Sequence, residues 1–251
     1  MNSENKTKIN LLLCNWPTGT VATLPWLKTL GISQQLAHEY EKSGWLQKLG
    51  RGAYTKLTDP VDWSGGVYAF QQQLHLPIHV GGKSALELKG LSHYIPFGRS
   101  GQLCLLGPQQ IKPPSWFLKY DWGCTVSYHT SSLFGEIANQ GFTLQSFGAF
   151  DIQISTPERA ILELLNLIPT EQSMEEARLI MEGLATLRPQ LVQHLLEVCQ
   201  SYKVKRLFLA LADSIQHAWF AKLDPTKLDL GHGNRMIVPG GTFYAKYKIV
   251  A

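Results

Sequence analysis

The sequence predicts an α+β protein in two parts, a small basic N-terminal domain over residues 1–60 and a larger mixed α/β domain over residues 61–251. In residues 24–57 the apolar side chains recur first at helical spacing and then at the shorter spacing typical of strands. Residues 1–57 contain seven Lys and Arg against three Asp and Glu, so their net charge of +4 equals that of the whole chain. A basic end domain on an otherwise balanced chain is typical of a phosphate-binding module.

The first part of this domain predicts three helices joined by short turns. The first helix runs from about residue 6 to residue 15 and ends at Trp16-Pro17, because the residue before a proline disfavours helix. Leucines at helical spacing predict a second helix that ends at the turn residue Gly31. Ser33 is a suitable N-cap for the third helix. The apolar face of that third helix consists of Leu36, Ala37, Tyr40 and Gly44.

A hairpin follows the three helices. Residues 45–49 and 53–57 predict two strands on either side of the turn Gly50-Arg51-Gly52. Glycines at both ends of the turn let the chain reverse tightly and leave one guanidinium at the tip. Helices followed by such a hairpin predict a winged helix-turn-helix domain over residues 1–60.

The polar face of the third helix has the side chains that DNA recognition uses. Glutamine can bond bidentately to adenine in the major groove, and lysine can reach guanine or phosphate. An arginine at a hairpin tip can enter a narrow minor groove or bind phosphate. The predicted DNA-binding residues are therefore Ser33, Gln34, Gln35, His38, Lys42, Lys48 and Arg51. Helix-turn-helix geometry also occurs in proteins that bind no nucleic acid, so an adaptor whose polar face meets a protein stays open.

Composition places the chain among cytoplasmic globular proteins. The hydrophobic fraction of 44% is enough to form a real core, which argues against extensive disorder. The four cysteines, Cys14, Cys104, Cys124 and Cys199, are far apart, so we expect reduced thiols. The apolar run of residues 9–14 is too short for a signal peptide, and no run has the length of a membrane span. We therefore expect a cytoplasmic protein without membrane contact.

A glycine-rich segment early in the second domain raises the question of nucleotide binding. Residues 58–63 predict a linker, and residues 66–74 have helical spacing. Residues 77–80 then predict a short strand, which is followed by Gly81-Gly82-Lys83-Ser84 and a helix that ends at residue 90. Strand, glycines, Lys-Ser and helix are the context of a phosphate-binding loop. Such a loop needs a glycine five residues before Gly82, and Pro77 occupies that position. A tight turn is the favoured interpretation, and a nucleotide-binding or enzymatic domain is the alternative.

The rest of the second domain predicts strands and then helices. Residues 102–106, 125–129 and 150–154 predict strands separated by turns rich in proline and glycine. A helix then begins at Ser155-Thr156-Pro157, with either Ser155 as its cap, answered by Glu158, or Thr156 as its cap before Pro157. Three more helices are predicted at about residues 173–187, 189–202 and 204–221, followed by a final strand over residues 242–250.

Three cations begin the last predicted helix. Lys203, Lys205 and Arg206 oppose the helix dipole, which favours negative charge at this end. They predict a possible second surface for an anionic partner. The alternative, which is equally open, is that these side chains are solvated at the edge of the helix and bind no partner.

No catalytic or metal-binding pattern is present. His75 and His79 lie on either side of a proline in a strand-like segment, and no carboxylate or cysteine cluster joins them. Residues 125–132 contain Ser, Tyr and His, but adjacent strand residues point to opposite faces and do not form a nucleophile with its base. The sequence therefore predicts no catalytic residues, no metal and no cofactor.

Five stretches together resemble the AbiEi family, antitoxins of type IV toxin-antitoxin systems. They are LGRGAY (49–54), GGKSALELKGLSHY (81–94), STPERAILELL (155–165), KVKRLFLALAD (203–213) and the closing GGTFYAKYKIV. The resemblance implies an N-terminal winged helix that binds inverted repeats in double-stranded promoter DNA and represses its own operon. It also implies a C-terminal antitoxin domain, residues 61–251, that counteracts a co-encoded nucleotidyltransferase-like toxin without a stable complex.

Overall fold

A computed structural model describes residues 3–91, 101–135 and 140–251, with side chains from residue 8 onward. The architecture is α+β, as the sequence predicts. Across these described ranges, no helix combines the length and the hydropathy that crossing a bilayer requires. Residues 92–94 of the GGKSALELKGLSHY stretch lie outside the described residues.

The N-terminal elements follow the order predicted from the sequence. They are α1 (Ser3–Asn15), β1 (Ala22–Thr23), α2 (Leu24–Thr29), α3 (Gln34–Lys42), β2 (Leu46–Gly50) and β3 (Ala53–Lys56). The strands form an antiparallel sheet in the order β1-β3-β2. Gly31, between α2 and α3, has a φ of +74°, a backbone conformation that glycine adopts without strain. Ser33 caps α3 as predicted, since its hydroxyl oxygen accepts a hydrogen bond from the Leu36 N–H at 3.2 Å.

The second part begins with a helix and a mixed five-stranded sheet. Its elements are α4 (Trp63–Tyr68), which continues as a π-helical turn (Ala69–Gln73), then β4 (His79–Val80), α5 (Gly82–Leu88), β5 (Gln102–Gly107), α6 (Ser115–Lys119), β6 (Thr125–Thr130), β7 (Phe142–Ser146) and β8 (Asp151–Ser155). The sheet order is β6-β5-β4-β8-β7, in which β5 with β6 and β4 with β8 are the parallel pairs. The sequence missed α6 and β7, because both are short and lack a clear apolar period.

The helices that follow the sheet pack with α5 and form the largest core. They are α7 (Pro157–Asn166), α8 (Met174–Gly183), α9 (Pro189–Val198) and α10 (Tyr202–Ile215). Thr156 is the N-cap residue of α7 and Pro157 its first helical residue, so the second of the two predicted helix starts has the correct position, although the Thr156 hydroxyl makes no capping hydrogen bond. The alternative was wrong, because Ser155 ends β8 and its hydroxyl donates to the Glu163 carboxylate instead of capping.

The C-terminal end corrects two predictions. The last helix ends at residue 215, six residues before the predicted end, where Gln216 adopts a left-handed conformation. The predicted strand over residues 242–250 was wrong as one element: β10 (Phe243–Tyr244) and β11 (Ile249–Val250) pair antiparallel around a 3-10 turn. β9 (Arg235–Met236) pairs parallel to β11 and completes a small sheet. The chain reverses here because Lys248 has a φ of +51°, which alternating strand geometry does not allow.

The two parts of the chain share one core. Val21 and Ala53 of the N-terminal part pack in the same cluster as Phe70, Trp116 and other residues of the second part. Residues 58–63, predicted as a linker, are tied down: the Asp59 carboxylate accepts a hydrogen bond from the Gly19 N–H at 2.8 Å. The boundary near residue 60 therefore separates two sequence patterns within one packed body.

Candidate nucleic-acid interface

The predicted DNA-binding residues are all exposed on α3, its cap and the hairpin, and this set is here called the α3–hairpin face. On α3, Leu36, Ala37 and Tyr40 are buried, and this packing turns the polar side of the helix outward. The exposed predicted residues are Ser33, Gln34, Gln35, His38, Lys42, Lys48 and Arg51. Tertiary packing thus leaves every one of them accessible to a partner.

The cations of this face keep their charge available. Lys42, Lys48 and Arg51 form no ion pair with any residue that the structure describes. His38 differs, since its Nδ1 lies 3.2 Å from a carboxylate oxygen of Glu41 on the same helix. Three unpaired cations on one surface attract phosphate and give binding a strong dependence on salt.

The hairpin tip is fixed from two sides. The Gly52 carbonyl accepts a hydrogen bond from the Leu24 N–H at 2.8 Å, and Gly52 itself has a φ of +74°. Gly50 packs so closely on Trp116 of α6 that an added Cβ would lie 2.7 Å from the Trp116 Cβ. Arg51 therefore extends from a turn whose backbone is held in place, which lowers the entropy cost of ordering it on a ligand.

One cation beside this face was missed by the sequence. Lys119 is exposed and lies one helical turn after Trp116, on the helix that contacts the hairpin. It comes from the second part of the chain, about seventy residues beyond the hairpin, so no local pattern could associate it with Arg51. The helix that contacts the hairpin thus brings an exposed cation from the larger domain.

The glycine-rich segment Gly81–Ser84 does not form a phosphate-binding loop. The N–H of Gly82 donates to the carboxylate of Glu163 at 3.1 Å, so a buried carboxylate occupies the place where a phosphate would bind. The Ser84 hydroxyl donates to the Gln102 carbonyl and accepts from the Cys104 N–H. Lys83 pairs with Glu87 and Glu176. A phosphate would meet like charge here, and the nucleotide-binding alternative loses its structural basis.

Glu163 is the centre of a buried ionic network. His79 Nε2 lies 3.0 Å and Arg159 Nε 2.8 Å from one carboxylate oxygen, while the Ser155 hydroxyl donates to the other at 2.8 Å. Burial by itself would raise the pKa of Glu163, but the His79 and Arg159 charges and the hydrogen bonds outweigh it and lower that pKa to about 2. The carboxylate is therefore ionised throughout the physiological range.

This network lines a cavity of about 640 Å³, and its serine is not paired with its histidine. Ser155 is fully buried and bonds the carboxylate, so it is not paired with His79 as a nucleophile would be with its base. The Arg159 guanidinium carbon lies 4.4 Å from the ring centre of Phe134 and 4.1 Å from that of Phe142. His75 is exposed and away from this network's buried partners. Within the described residues, no three metal-ligating side chains come together.

The three cations at the start of α10 do not form the exposed surface that was predicted. Lys205 and Arg206 are buried, with 4% and 1% of their surface exposed. Lys203 Nζ donates to the carbonyls of Asn166 and Ile168, both at 2.7 Å. Both interpretations of these cations, as a partner surface or as solvated side chains at the edge of the helix, were therefore wrong for Lys205 and Arg206.

Arg206 has a structural role that the sequence did not indicate. Its guanidinium donates to three backbone carbonyls, those of Leu230 at 2.7 Å, Gly233 at 2.7 Å and Lys248 at 3.0 Å. These carbonyls belong to the glycine-rich C-terminal segment, which also packs Tyr247 and Ile249 into the main core. Arg206 thus holds that segment against α10.

Comparisons with known proteins cover nearly the whole chain. One family model, described as a transcriptional regulator and AbiEi antitoxin of a type IV toxin-antitoxin system, matches residues 100–251. A second, described as the N-terminal domain of an AbiEi antitoxin transcriptional regulator, matches residues 5–97. The crystal structure of the RV2827C protein from Mycobacterium tuberculosis is similar in fold, with a TM-score of 0.60 and 12% identity over 100% of this chain and 92% of that chain. No curated protein matches the sequence.

Proposed function

The chain belongs to the AbiEi family of antitoxins and transcriptional regulators of type IV toxin-antitoxin systems, and from this we propose that it represses its own operon through its N-terminal domain. In this proposal residues 1–60 bind inverted repeats in the double-stranded promoter. The larger domain counteracts a co-encoded nucleotidyltransferase-like toxin without a stable complex. The single observation that supports DNA binding best is the exposed cationic α3–hairpin face.

The order of elements supports a winged helix for this domain. Helix, strand, two helices and a two-stranded hairpin follow one another, and the first strand pairs with the last. In such domains the second helix of the helix-turn-helix enters the major groove. That helix is α3 here, and its exposed Gln34, Gln35 and His38 are suited to base edges.

The end of α3 and the hairpin supply the phosphate contacts in this proposal. Lys42 and Lys48 are exposed and unpaired among the described residues, and Arg51 lies at a fixed turn. Contacts to phosphate set the position of a protein on DNA, while contacts to base edges set its sequence preference. We therefore assign Lys42, Lys48 and Arg51 to positioning and the α3 glutamines to sequence preference.

The antitoxin role is assigned to the larger domain without a catalytic step. Family membership supports a regulator rather than an enzyme, and the ionic network around Glu163 joins no nucleophile to a base. No cofactor or metal is invoked. Which side chains oppose the toxin is outside this proposal.

Fluorescence anisotropy with the full chain and labelled DNA from upstream of its own gene tests the repressor role. We expect specific binding that weakens steeply between about 50 and about 200 mM salt. Lys42→Gln and Arg51→Gln should each lower affinity and reduce the magnitude of the salt slope by about one, since each removes one phosphate contact. Lys222→Gln, an exposed lysine of the larger domain, is the matched control and should bind like the unmodified protein.

Two outcomes would contradict the proposal. If Lys42→Gln and Arg51→Gln both bound the operator as the unmodified chain does, the α3–hairpin face would not be the DNA interface. If the unmodified chain bound no upstream DNA, the repressor proposal would be replaced by the hypothesis of an adaptor whose polar face binds a protein. A growth assay with the toxin gene co-expressed from an unrelated promoter then separates the two roles: Arg51→Gln should still relieve toxicity, because the larger domain is intact.

A further inference from the structure

A second cavity lies at the beginning of α10, apart from the α3–hairpin face. It has a volume of about 380 Å³ and is lined largely by hydroxyl, amide and cationic side chains. Thr130 and Ser132 come from the end of β6 and the loop after it, Gln200 from the turn before α10, Lys203 from its first turn, and Arg235 from β9. Three regions distant in sequence thus contribute polar groups to one concave surface.

The cations around this cavity exceed the carboxylates. Lys203 and Arg235 line the cavity and form no ion pair with any residue in the described ranges, and Lys203 donates to two backbone carbonyls instead. The nearby carboxylate, Asp229, accepts a hydrogen bond from the Tyr202 hydroxyl at 3.0 Å and interacts with Lys205. Positive charges that no carboxylate compensates produce a positive potential, which a concave wall focuses.

Several donors that line the cavity have no protein partner. The Thr130 and Ser132 hydroxyls and the Arg235 guanidinium make no hydrogen bond to a described residue. All three side chains are exposed to solvent, with Arg235 above the Tyr202 ring at 5.5 Å from its centre. Two hydroxyls and a guanidinium are the donors that proteins use to bind phosphate oxygens.

We propose that this cavity binds the phosphate group of a small phosphorylated molecule of about the size of a nucleoside monophosphate. A phosphate monoester brings close to two negative charges and several acceptor oxygens, which match the uncompensated cations and the free donors. The volume is in the range of small-molecule sites. Arg235 contacts the phosphate directly, and Lys203 acts through its charge. The site is independent of the DNA interface and adds a ligand to the larger domain.

Isothermal titration of the full chain, without DNA, tests this site with defined probes. They are inorganic phosphate, AMP and GMP, with adenosine and guanosine as matched compounds that lack the phosphate. A short single-stranded oligonucleotide is titrated separately as a probe for a nucleic-acid backbone. We expect saturable binding of at least one phosphate-bearing probe and none of the nucleosides. Arg235→Gln should weaken that binding at least tenfold. Gln200→Glu, which adds a carboxylate at the exposed rim, should abolish it.

Both substitutions are at exposed positions, and unchanged thermal unfolding checks that each variant folds. Lys227→Gln, an exposed lysine beside Asp224, is the control and should leave phosphate binding unchanged. The proposal is overturned if no phosphate-bearing probe binds the unmodified chain. It is overturned as well if Arg235→Gln and Gln200→Glu both bind the probe with the affinity of the unmodified chain. It is also overturned if only a single-stranded oligonucleotide binds, since that would identify a nucleic-acid backbone site. Operator binding by these variants should stay unchanged, which distinguishes this test from that of the repressor role.

Discussion

At the scale of single residues, the larger domain depends on charged side chains that it has buried. Glu163 bonds to His79, Arg159, Ser155 and the N-terminus of α5, so one carboxylate joins the sheet to two helices. Removing the charge of a buried carboxylate leaves its partners uncompensated. This costs much more free energy than an exposed ion pair contributes to stability. These side chains therefore explain stability and make specific predictions about pH and substitution.

Glu163 should make stability depend on acid. Its pKa is about 2 when folded against an ordinary 4.5, so its contribution, about 3 kcal/mol, is complete above pH 4.5 and is lost as the pH falls towards 2. At pH 7, Glu163→Gln should destabilise the protein by about 3–5 kcal/mol. Urea unfolding at pH 7, 4 and 3 should show that the difference in unfolding free energy between the unmodified protein and Glu163→Gln becomes smaller as the pH falls. The control Glu182→Gln, at an exposed position, should keep a small constant difference. A difference for Glu163→Gln that stays constant with pH would contradict an ionised Glu163.

Arg206 should be needed to order the C-terminal segment. Arg206→Met removes the donors of three backbone carbonyls, and we expect a loss of about 2–4 kcal/mol in the free energy of unfolding. Arg178→Met, on the exposed side of α8, is the control and should cost less than about 0.5 kcal/mol. Hydrogen exchange should also accelerate at residues 230–250 in Arg206→Met. Unchanged exchange there would mean that the segment is held by other contacts.

At the scale of elements, α3 combines a structural face and a proposed binding face on nine residues. Its apolar side packs Leu36, Ala37 and Tyr40 inward, and its cap residue Ser33 satisfies a backbone donor that would otherwise be free. Ser33 was also predicted to contact DNA. A capping role and a DNA contact predict different effects of its substitution, the first on stability and the second on affinity for DNA.

Ser33→Ala should destabilise the protein by about 1 kcal/mol, because the Leu36 N–H loses its acceptor. Ser33→Asn keeps a capping oxygen and should restore most of that stability. Chemical denaturation measures both changes, and operator anisotropy on the folded variants measures the DNA contact. If Ser33→Asn restores stability but not affinity, the hydroxyl contacts DNA as well as capping the helix. If the alanine variant loses no stability, the cap does not contribute as its geometry indicates.

At the scale of the whole molecule, the N-terminal part and the larger domain are packed as one unit. The Val21 N–H donates to the Gly65 carbonyl at 3.3 Å, and the Gln73 side chain bonds backbone groups of Val21 and Thr23 in β1. Gly50 of the hairpin lies against Trp116 of the larger domain. The position of the α3–hairpin face is therefore fixed relative to the larger domain, and truncation at residue 60 would cut through a core.

Gly65→Ala tests this shared packing. An added Cβ at Gly65 would lie 1.9 Å from the Gly19 carbonyl oxygen, so the two parts would have to separate. We expect a loss of at least about 2 kcal/mol and, because the parts unfold together, a single calorimetric transition. Gly101→Ala is the control, since an added Cβ there meets nothing within 4 Å. Two separate transitions in the unmodified protein would contradict a common core.

The sequence by itself determined the features that depend on neighbouring residues. The helices and hairpin of the N-terminal part, the Ser33 cap and the start of α7 at Pro157 follow from local spacing, turn residues and capping, which act over a few positions. The exposure of the polar residues of α3 follows from the same periodicity, because the apolar face of the helix determines which side turns outward. The exposure of Arg51 follows from its place at the hairpin turn.

Only the tertiary structure decided the features that join distant residues. Glu163 reaches the N–H of Gly82, 81 residues away, and this contact turns a segment that resembles a phosphate loop into a buried ionic junction. Arg206 reaches Lys248, 42 residues away, so a cation expected at the surface is buried. Burial and charge compensation depend on which elements pack together, and local periodicity has no information about that packing.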